Sequence, residues 1–221
     1  MAQSGTRGIK TGQPRGSRIS TSKLLCMALL TAAALYNCRS PNYLDPGAGD
    51  KPADAYIGNR LAAALVVQAG IVLVMAAAYF LAQNSPARRP WKATEAAAAL
   101  ACIGGTALRA WCFATLGRLF TYEVGVRAGH SLVGEGPYAL LLHPSYTGTA
   151  LVGLGFSAYT GIMRRRPTAL VISAVVLGAI GKSTCCPPLR IANEERVLAK
   201  HFGDAWREHA SARWRLIPMI L

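Results

Sequence analysis

Residues 93–116 read ATEAAAALACIGGTALRAWCFATL, a run in which Glu95 and Arg109 are the only charged side chains. A helix needs roughly 20 predominantly apolar residues to cross a bilayer, and this run is long enough. Its apolar residues come as a block rather than in the alternation of a half-buried strand. Because helices and closed barrels are the structures that satisfy their backbone in lipid, an unbroken run of this kind predicts a transmembrane helix.

Similar apolar runs lie on both sides of this one. Clear runs occur at 57–81, 146–163 and 168–185, and a weaker run occurs at 24–36. We therefore expect an all-α membrane protein with about five transmembrane helices. Arg109 lies within a predicted span, where ionisable groups usually face a cavity or a partner, so it is a candidate for lining a substrate path.

The composition supports a membrane protein and argues against several other classes. Hydrophobic residues make up 52% of the chain and charged residues 15%, against roughly a quarter charged in soluble domains. The net charge of +14 comes from cations beside apolar runs, which favours contact with the lipid bilayer and no nucleic-acid partner. The six cysteines form no CxxC pair, so we expect neither a zinc site nor any other metal site.

Three regions follow from this pattern. Residues 1–23 are basic and rich in Gly, Ser and Thr, which predicts a disordered tail. Residues 24–186 form the predicted transmembrane bundle, and residues 187–221 form a polar C-terminal helical segment. Since two spans separate this segment from residues 117–148, both emerge on the same face and are expected to pack together. The positive charges do not assign that face to either side of the membrane.

The polar regions carry a set of ordered motifs. Residues 130–138 read HSLVGEGPY and residues 142–148 read LHPSYTG. The C-terminal segment contains RIANEERVL at 190–198, then Phe202-Gly203, and RLIP at 215–218. Each piece alone is weak, but their order after several apolar runs is specific.

In these motifs the chain resembles the isoprenylcysteine carboxyl methyltransferase family, over roughly residues 115–218. The resemblance implies a helical enzyme of the endoplasmic reticulum membrane, multi-pass, with its active site toward the cytosol and a C-terminal helical cap that forms the cofactor site. It also implies transfer of a methyl group from S-adenosylmethionine to the C-terminal carboxylate of prenylated cysteine in client proteins.

The resemblance also implies roles for individual residues. Arg190 matches the arginine that contacts the substrate carboxylate. The positions that match cofactor-binding residues are Glu123, His130, Ser131, Leu132, Val133, Tyr138, His143, Pro144, Ser145, Tyr146 and Glu194. One departure is Leu142, where family members usually have arginine, so that Arg190 or Arg213 has to compensate or activity is altered.

The residues themselves support part of this assignment. Pro187 and Pro188 suit the start of a helix that runs to about His201 and stops at Gly203. Arg190 and Glu194 then lie on one face of that helix, either as a site or as a plain surface pair. Tyr138 and Tyr146 suit either a cation–π contact with a sulfonium or the aromatic belt at a membrane interface.

Three other functions stay open from the sequence. Methylation of a phospholipid amine needs a way to deprotonate the acceptor, whereas Arg190 favours an anionic one. Membrane sterol reductases share a similar C-terminal pattern but have more spans. A non-catalytic relative that acts as a scaffold is the third alternative, because Leu142 replaces the family arginine.

Overall fold

The described part of the protein is mainly helical, as the sequence predicts. The structure is a computed structural model, and the residues it describes are 21–38, 41–42, 49, 51–52, 66, 69–70, 72–74, 76–77, 91–121, 123–160 and 187–219. The predicted span 168–185, most of the span 57–81 and the tail up to residue 20 lie outside these residues. The number of spans therefore stays a prediction.

The helices have well-defined bounds, and two 3-10 turns lie between them at Gly117–Leu119 and Gly136–Ala139. In chain order the helices are α1 (Thr21–Asn37), α2 (Ala93–Leu116), α3 (Pro144–Thr160), α4 (Pro187–Phe202) and α5 (Asp204–Ser211). Residues 66, 69–70, 72–74 and 76–77, from the predicted span 57–81, are also helical.

Most of the predicted boundaries agree with these helices. The run at 93–116 forms α2 over its full length, and α4 ends at Phe202 before Gly203, whose φ is 57°. The tail boundary at residue 23 is wrong, because α1 begins at Thr21 and the Lys23 side chain is buried. Lys23 packs there against partners distant in the chain, which composition alone does not reveal.

One helix among the described residues is long and apolar enough to cross a membrane. It consists of α2 with its 3-10 extension, Ala93–Leu119, with a mean hydropathy of 1.4. The helices α1 and α3 each have 17 described residues, fewer than the roughly 20 that a span needs. The length of α2 and the apolar composition together indicate a membrane protein.

Helices α2 and α3 pack closely and run antiparallel. Gly148 of α3 meets Gly105 of α2, and about two helical turns further along Gly155 meets Ala98 and Cys102. A Cβ atom at Gly155 would lie 2.5 Å from the Ala98 carbonyl oxygen, so only glycine fits there. Small residues at a helix crossing permit this close approach of two backbones.

Helix α1 runs parallel to α2 and covers the α2–α3 pair. Near its start, Lys23 forms an ion pair with Glu95 at 2.6 Å, and the Tyr159 hydroxyl donates to the Lys23 carbonyl oxygen. At its end, Asn37 donates to the Thr106 hydroxyl. These contacts place the end of α2 and the start of α3 at the opposite end of the bundle from Lys23.

A short sheet and one asparagine organise the loop after α2. Strand β1 (Lys51–Pro52) pairs antiparallel with β2 (Gly125–Val126). The Asn42 side-chain amide donates to the carbonyl oxygens of Gly117 and Phe120, both at 2.9 Å. The loop is thus tied to the chain that precedes α2.

We predict that Gly155→Ala destabilises the protein by about 1–3 kcal/mol, because the new methyl group overpacks the helix crossing. Gly153→Ala is the matched control on α3, since a Cβ atom there meets nothing within 4 Å. We expect it to be neutral or slightly stabilising, because alanine favours a helix over glycine. Thermal unfolding in detergent measures both variants. Equal midpoints for the two variants would contradict the described crossing.

Candidate active site

The C-terminal segment is attached to the start of α3 by main-chain hydrogen bonds. The Leu142 N–H donates to the Trp214 carbonyl oxygen at 2.8 Å, and the His143 N–H donates to the Arg215 carbonyl oxygen at 3.1 Å. The Trp214 N–H donates in turn to the Leu140 carbonyl oxygen at 3.1 Å. These bonds fix the turn at 140–143 against residues more than 70 positions later.

Arg190 and Glu194 both contact the Tyr146 hydroxyl. The Arg190 Nε donates to it at 2.9 Å, and it donates to Glu194 Oε2 at 3.1 Å. Arg190 and Glu194 are one helical turn apart on α4, so they reach the same tyrosine from one face. The first turn of α3 is thereby joined to α4 by a half-buried polar contact.

A second polar contact lies beside the first and uses the next residue of α4. Glu195 Oε1 accepts a hydrogen bond from His143 Nε2 at 3.0 Å. Arg215 binds the same carboxylate through two parallel bonds, Nε to Oε1 and a terminal nitrogen to Oε2, each 2.8 Å long. Because an ionised carboxylate only accepts, the His143 Nε2 carries a proton.

Tyr138 lies in the 3-10 turn Gly136–Ala139, between α2 and the C-terminal segment. Burial raises the pKa of its phenol well above the usual range, and the neighbouring Cys112 and the charge of Glu194 raise it further. Gly136 starts the turn with a φ of 55°, and a Cβ atom there would lie 2.9 Å from Thr115 Oγ1. Glycine at this position therefore sets where Tyr138 enters the site.

The loop before this turn carries five of the predicted cofactor residues. His130 reaches α4, since its ring centroid lies 5.7 Å from that of Phe202. Ser131 is exposed, whereas Glu123, Leu132 and Val133 are half-buried along the loop. The roles of these residues stay predictions.

Ser145 and Arg109 connect the site to the helix bundle. Arg109 is 3% exposed and donates to Ser145 Oγ at 2.9 Å and to Thr149 Oγ1 at 2.6 Å. It also lies over the rings of Phe113 and Phe120, at 5.0 and 5.9 Å from their centroids. The described contacts thus join helices, and the role of Arg109 in lining a substrate path stays a prediction. Ser145 faces the bundle, next to the buried Pro144.

Three arginines of the C-terminal segment reach the site, and each has its own partners. Arg190 contacts Tyr146, and Arg213 donates to the Tyr138 carbonyl oxygen at 2.8 Å and the His209 carbonyl oxygen at 2.7 Å. The arginine next to the turn at Leu142 is Arg215 instead. Neither Arg215 nor Glu195 is among the predicted site residues, although Arg215 lies in the motif RLIP and Glu195 in the motif RIANEERVL. Among the described residues, no group of three or more His, Cys, Asp or Glu side chains has the arrangement of a metal site.

Comparison with known proteins identifies the group to which this arrangement is related. Residues 97–200 match the isoprenylcysteine carboxyl methyltransferase family. The chain is similar to this family over slightly less than half of its length. The matched segment runs from α2 to the end of α4 and includes His143, Tyr146, Arg190 and both glutamates, whereas Arg215 lies beyond it. A methyltransferase family implies a methyl donor as cofactor.

Curated relatives carry the same family name. The chain is 33% identical over 120 residues to protein-S-isoprenylcysteine O-methyltransferase B of Arabidopsis thaliana, which covers 53% of this chain and 56% of that protein. It is 31% identical to protein-S-isoprenylcysteine O-methyltransferase A of the same plant, with the same coverage. A probable protein-S-isoprenylcysteine O-methyltransferase of Oryza sativa is 29% identical, with 58% of its length covered. The match thus spans little more than half the length of these relatives, and no solved structure matches the chain.

We predict that His209 titrates below the usual histidine range. Its pKa is lowered first by burial and then by the charge of Arg213. Arg213→Gln should therefore raise the pKa only part of the way, because the burial remains. The stability that neutral His209 contributes is fully present above its unfolded pKa of about 6.5 and is lost as the pH falls to the lower folded pKa.

Titration of the His209 ring by NMR measures this shift. Arg207→Gln is the control, because Arg207 is exposed on α5 and pairs with Asp204. A His209 pKa at or above about 6.5 in the unmodified protein would contradict the prediction.

Proposed function

We propose that the protein is a membrane carboxyl O-methyltransferase that methylates the C-terminal carboxylate of prenylated cysteine with S-adenosylmethionine. The observation that carries the proposal is the contact of Arg190 and Glu194 with the Tyr146 hydroxyl. It joins a cationic and an anionic side chain from α4 to the first turn of α3. The names of the relatives support the same substrate class.

Arg190 is the residue that orients the acceptor. A terminal carboxylate has a pKa of roughly 3.5, so it is ionised at neutral pH and needs no strong base. A guanidinium binds such a group through two parallel hydrogen bonds. The bond from its Nε to the Tyr146 hydroxyl holds the guanidinium at the start of α3.

The side chains around Tyr146 suit a cationic donor that also has amine and hydroxyl groups. Glu194 can accept hydrogen bonds from such groups, and the tyrosine rings attract a sulfonium through their π faces. When bound, S-adenosylmethionine would supply a methyl group that forms a C–O bond with the acceptor as its C–S bond breaks. Tyr138 and His143 are proposed to bind the methyl donor together with Glu194 and Tyr146. The other predicted cofactor residues are proposed to have the same role.

The second polar contact favours an anionic acceptor over an amine. An ammonium acceptor must lose a proton before it can attack, so its methylation calls for a general base. Glu195 already binds His143 and Arg215, and it therefore makes a poor candidate for that base. The arrangement positions groups rather than removing protons.

The setting is part of the proposal as well. Five transmembrane helices, a location in the endoplasmic reticulum membrane and an active site toward the cytosol agree with the family. The apolar helix α2 supports contact with the lipid bilayer. The cations are assigned to the membrane surface, so no nucleic-acid partner is proposed.

A methyl-transfer assay tests the proposal by offering N-acetyl farnesylcysteine and phosphatidylethanolamine in parallel. We expect methylated farnesylcysteine. Arg190→Ala should lower kcat/KM for the acceptor by about 100-fold, because a misplaced carboxylate attacks poorly. Glu194→Ala should act mainly through a higher KM for S-adenosylmethionine.

Arg196→Ala is the matched control for both variants. Arg196 is an exposed arginine of α4 that contacts Asn193 on its own helix. It should retain the activity of the unmodified protein. Methylated lipid without methylated farnesylcysteine would overturn the substrate, and full activity of both site variants would overturn the site.

A further inference from the structure

Arg215 binds Glu195 in a geometry that fixes the plane of the carboxylate. Its Nε and one terminal nitrogen bond the two oxygens at 2.8 Å each. Two parallel bonds from a planar guanidinium define the orientation of a carboxylate, which a single bond does not. Oε1 also accepts the bond from His143, so Arg215 and His143 share one oxygen atom.

A main-chain hydrogen bond places Arg215 next to His143. The Arg215 carbonyl oxygen accepts from the His143 N–H at 3.1 Å. Downstream, the Leu216 carbonyl oxygen accepts from the Thr147 hydroxyl at 2.6 Å. His143 is therefore held by Arg215 at its backbone directly and at its ring through Glu195.

Folding stability does not account for this arrangement. The Arg215 side chain is 45% exposed and that of Glu195 is 23% exposed. Exposed ion pairs of this kind contribute little to stability, since water screens the charges and two side chains lose freedom. The His143 side chain, in contrast, is 3% exposed, so the pair makes its contact with a buried ring.

We propose that Arg215 is a positioning residue of the methyltransferase site. It holds Glu195 in the rotamer that accepts from His143 Nε2, and it thereby orients the His143 ring toward the donor. The inference rests on the proposed function, in which His143 contacts the methyl donor. It adds a residue beyond the segment matched by the family and gives Glu195 a role different from that of Glu194.

The experiment compares Arg215→Gln, Glu195→Gln, the double variant and Arg215→Lys in the full chain. For Arg215→Gln we expect kcat/KM for S-adenosylmethionine to fall by about ten- to 100-fold, as small displacements in a site can cause. KM for N-acetyl farnesylcysteine should change less than about twofold, because Arg190 binds the acceptor. Arg215→Lys should recover part of the loss, since lysine keeps the charge without the planar fork.

A double-mutant cycle separates this role from an independent one. In the Glu195→Gln background, Arg215→Gln should cost less than about threefold, because the two residues act through one contact. Arg207→Gln is the control, as it removes an exposed arginine paired with a carboxylate on α5. That variant should keep full activity, and the unfolding midpoint of every variant should stay within about 3 °C of the unmodified protein.

Three results would overturn the inference. The first is a kcat/KM of Arg215→Gln within threefold of that of the unmodified protein. The second is a loss of kcat/KM on Arg215→Gln that is the same in the Glu195→Gln background as in the unmodified protein. The third is a fall of all kinetic constants together with a large fall in the unfolding midpoint. If the unmodified protein methylates neither acceptor, the proposed function fails separately. The NMR signal of the His143 Nε2 proton then decides: its loss in Arg215→Gln but not in Arg207→Gln supports the inference, and its retention in both overturns it.

Discussion

The close crossing of α2 and α3 is the constraint on which the rest of the described structure depends. At Gly105 and Gly148 the two backbones approach more closely than any larger residue allows. The crossing puts the end of α2 next to the start of α3, where His143 and Tyr146 lie. Arg109 reinforces the same corner from within the bundle by bonding Ser145 and Thr149. A rigid apolar scaffold thus supports a polar site at one end.

The polar site itself consists of two parallel contacts between α3 and α4. Adjacent glutamates on α4 point about 100° apart around the helix, and each reaches a different residue near the start of α3. Glu194 shares Tyr146 with Arg190, and Glu195 shares His143 with Arg215. Each carboxylate therefore has a cationic neighbour.

The sequence predicts the local features of this structure well. The run 93–116 forms α2 because its signal, an uninterrupted apolar block, is contained within the helix. Arg190 and Glu194 share a target because a spacing of four residues places them on one face. The predicted tail extends to residue 23, whereas α1 begins at Thr21 and Lys23 forms an ion pair with Glu95, 72 residues away.

The role of Arg215 depends on long-range geometry that the sequence does not specify. Its contact with Glu195 spans 20 residues and depends on how the chain runs through α5 between them. The motif RLIP draws attention to Arg215, but neither spacing nor composition says which carboxylate it binds. The sequence also does not predict how Leu142 is held, because its contact with Trp214 is made by the main chain.

The attachment of Trp214 and Arg215 to the turn at 140–143 also bears on the order of biosynthesis. During translation, α2 and α3 leave the ribosome long before the strand-like segment that closes the turn. The α2–α3 pair is therefore synthesised before the residues that close the turn. Leu142 and His143 would gain these main-chain partners only after Trp214 and Arg215 have been synthesised.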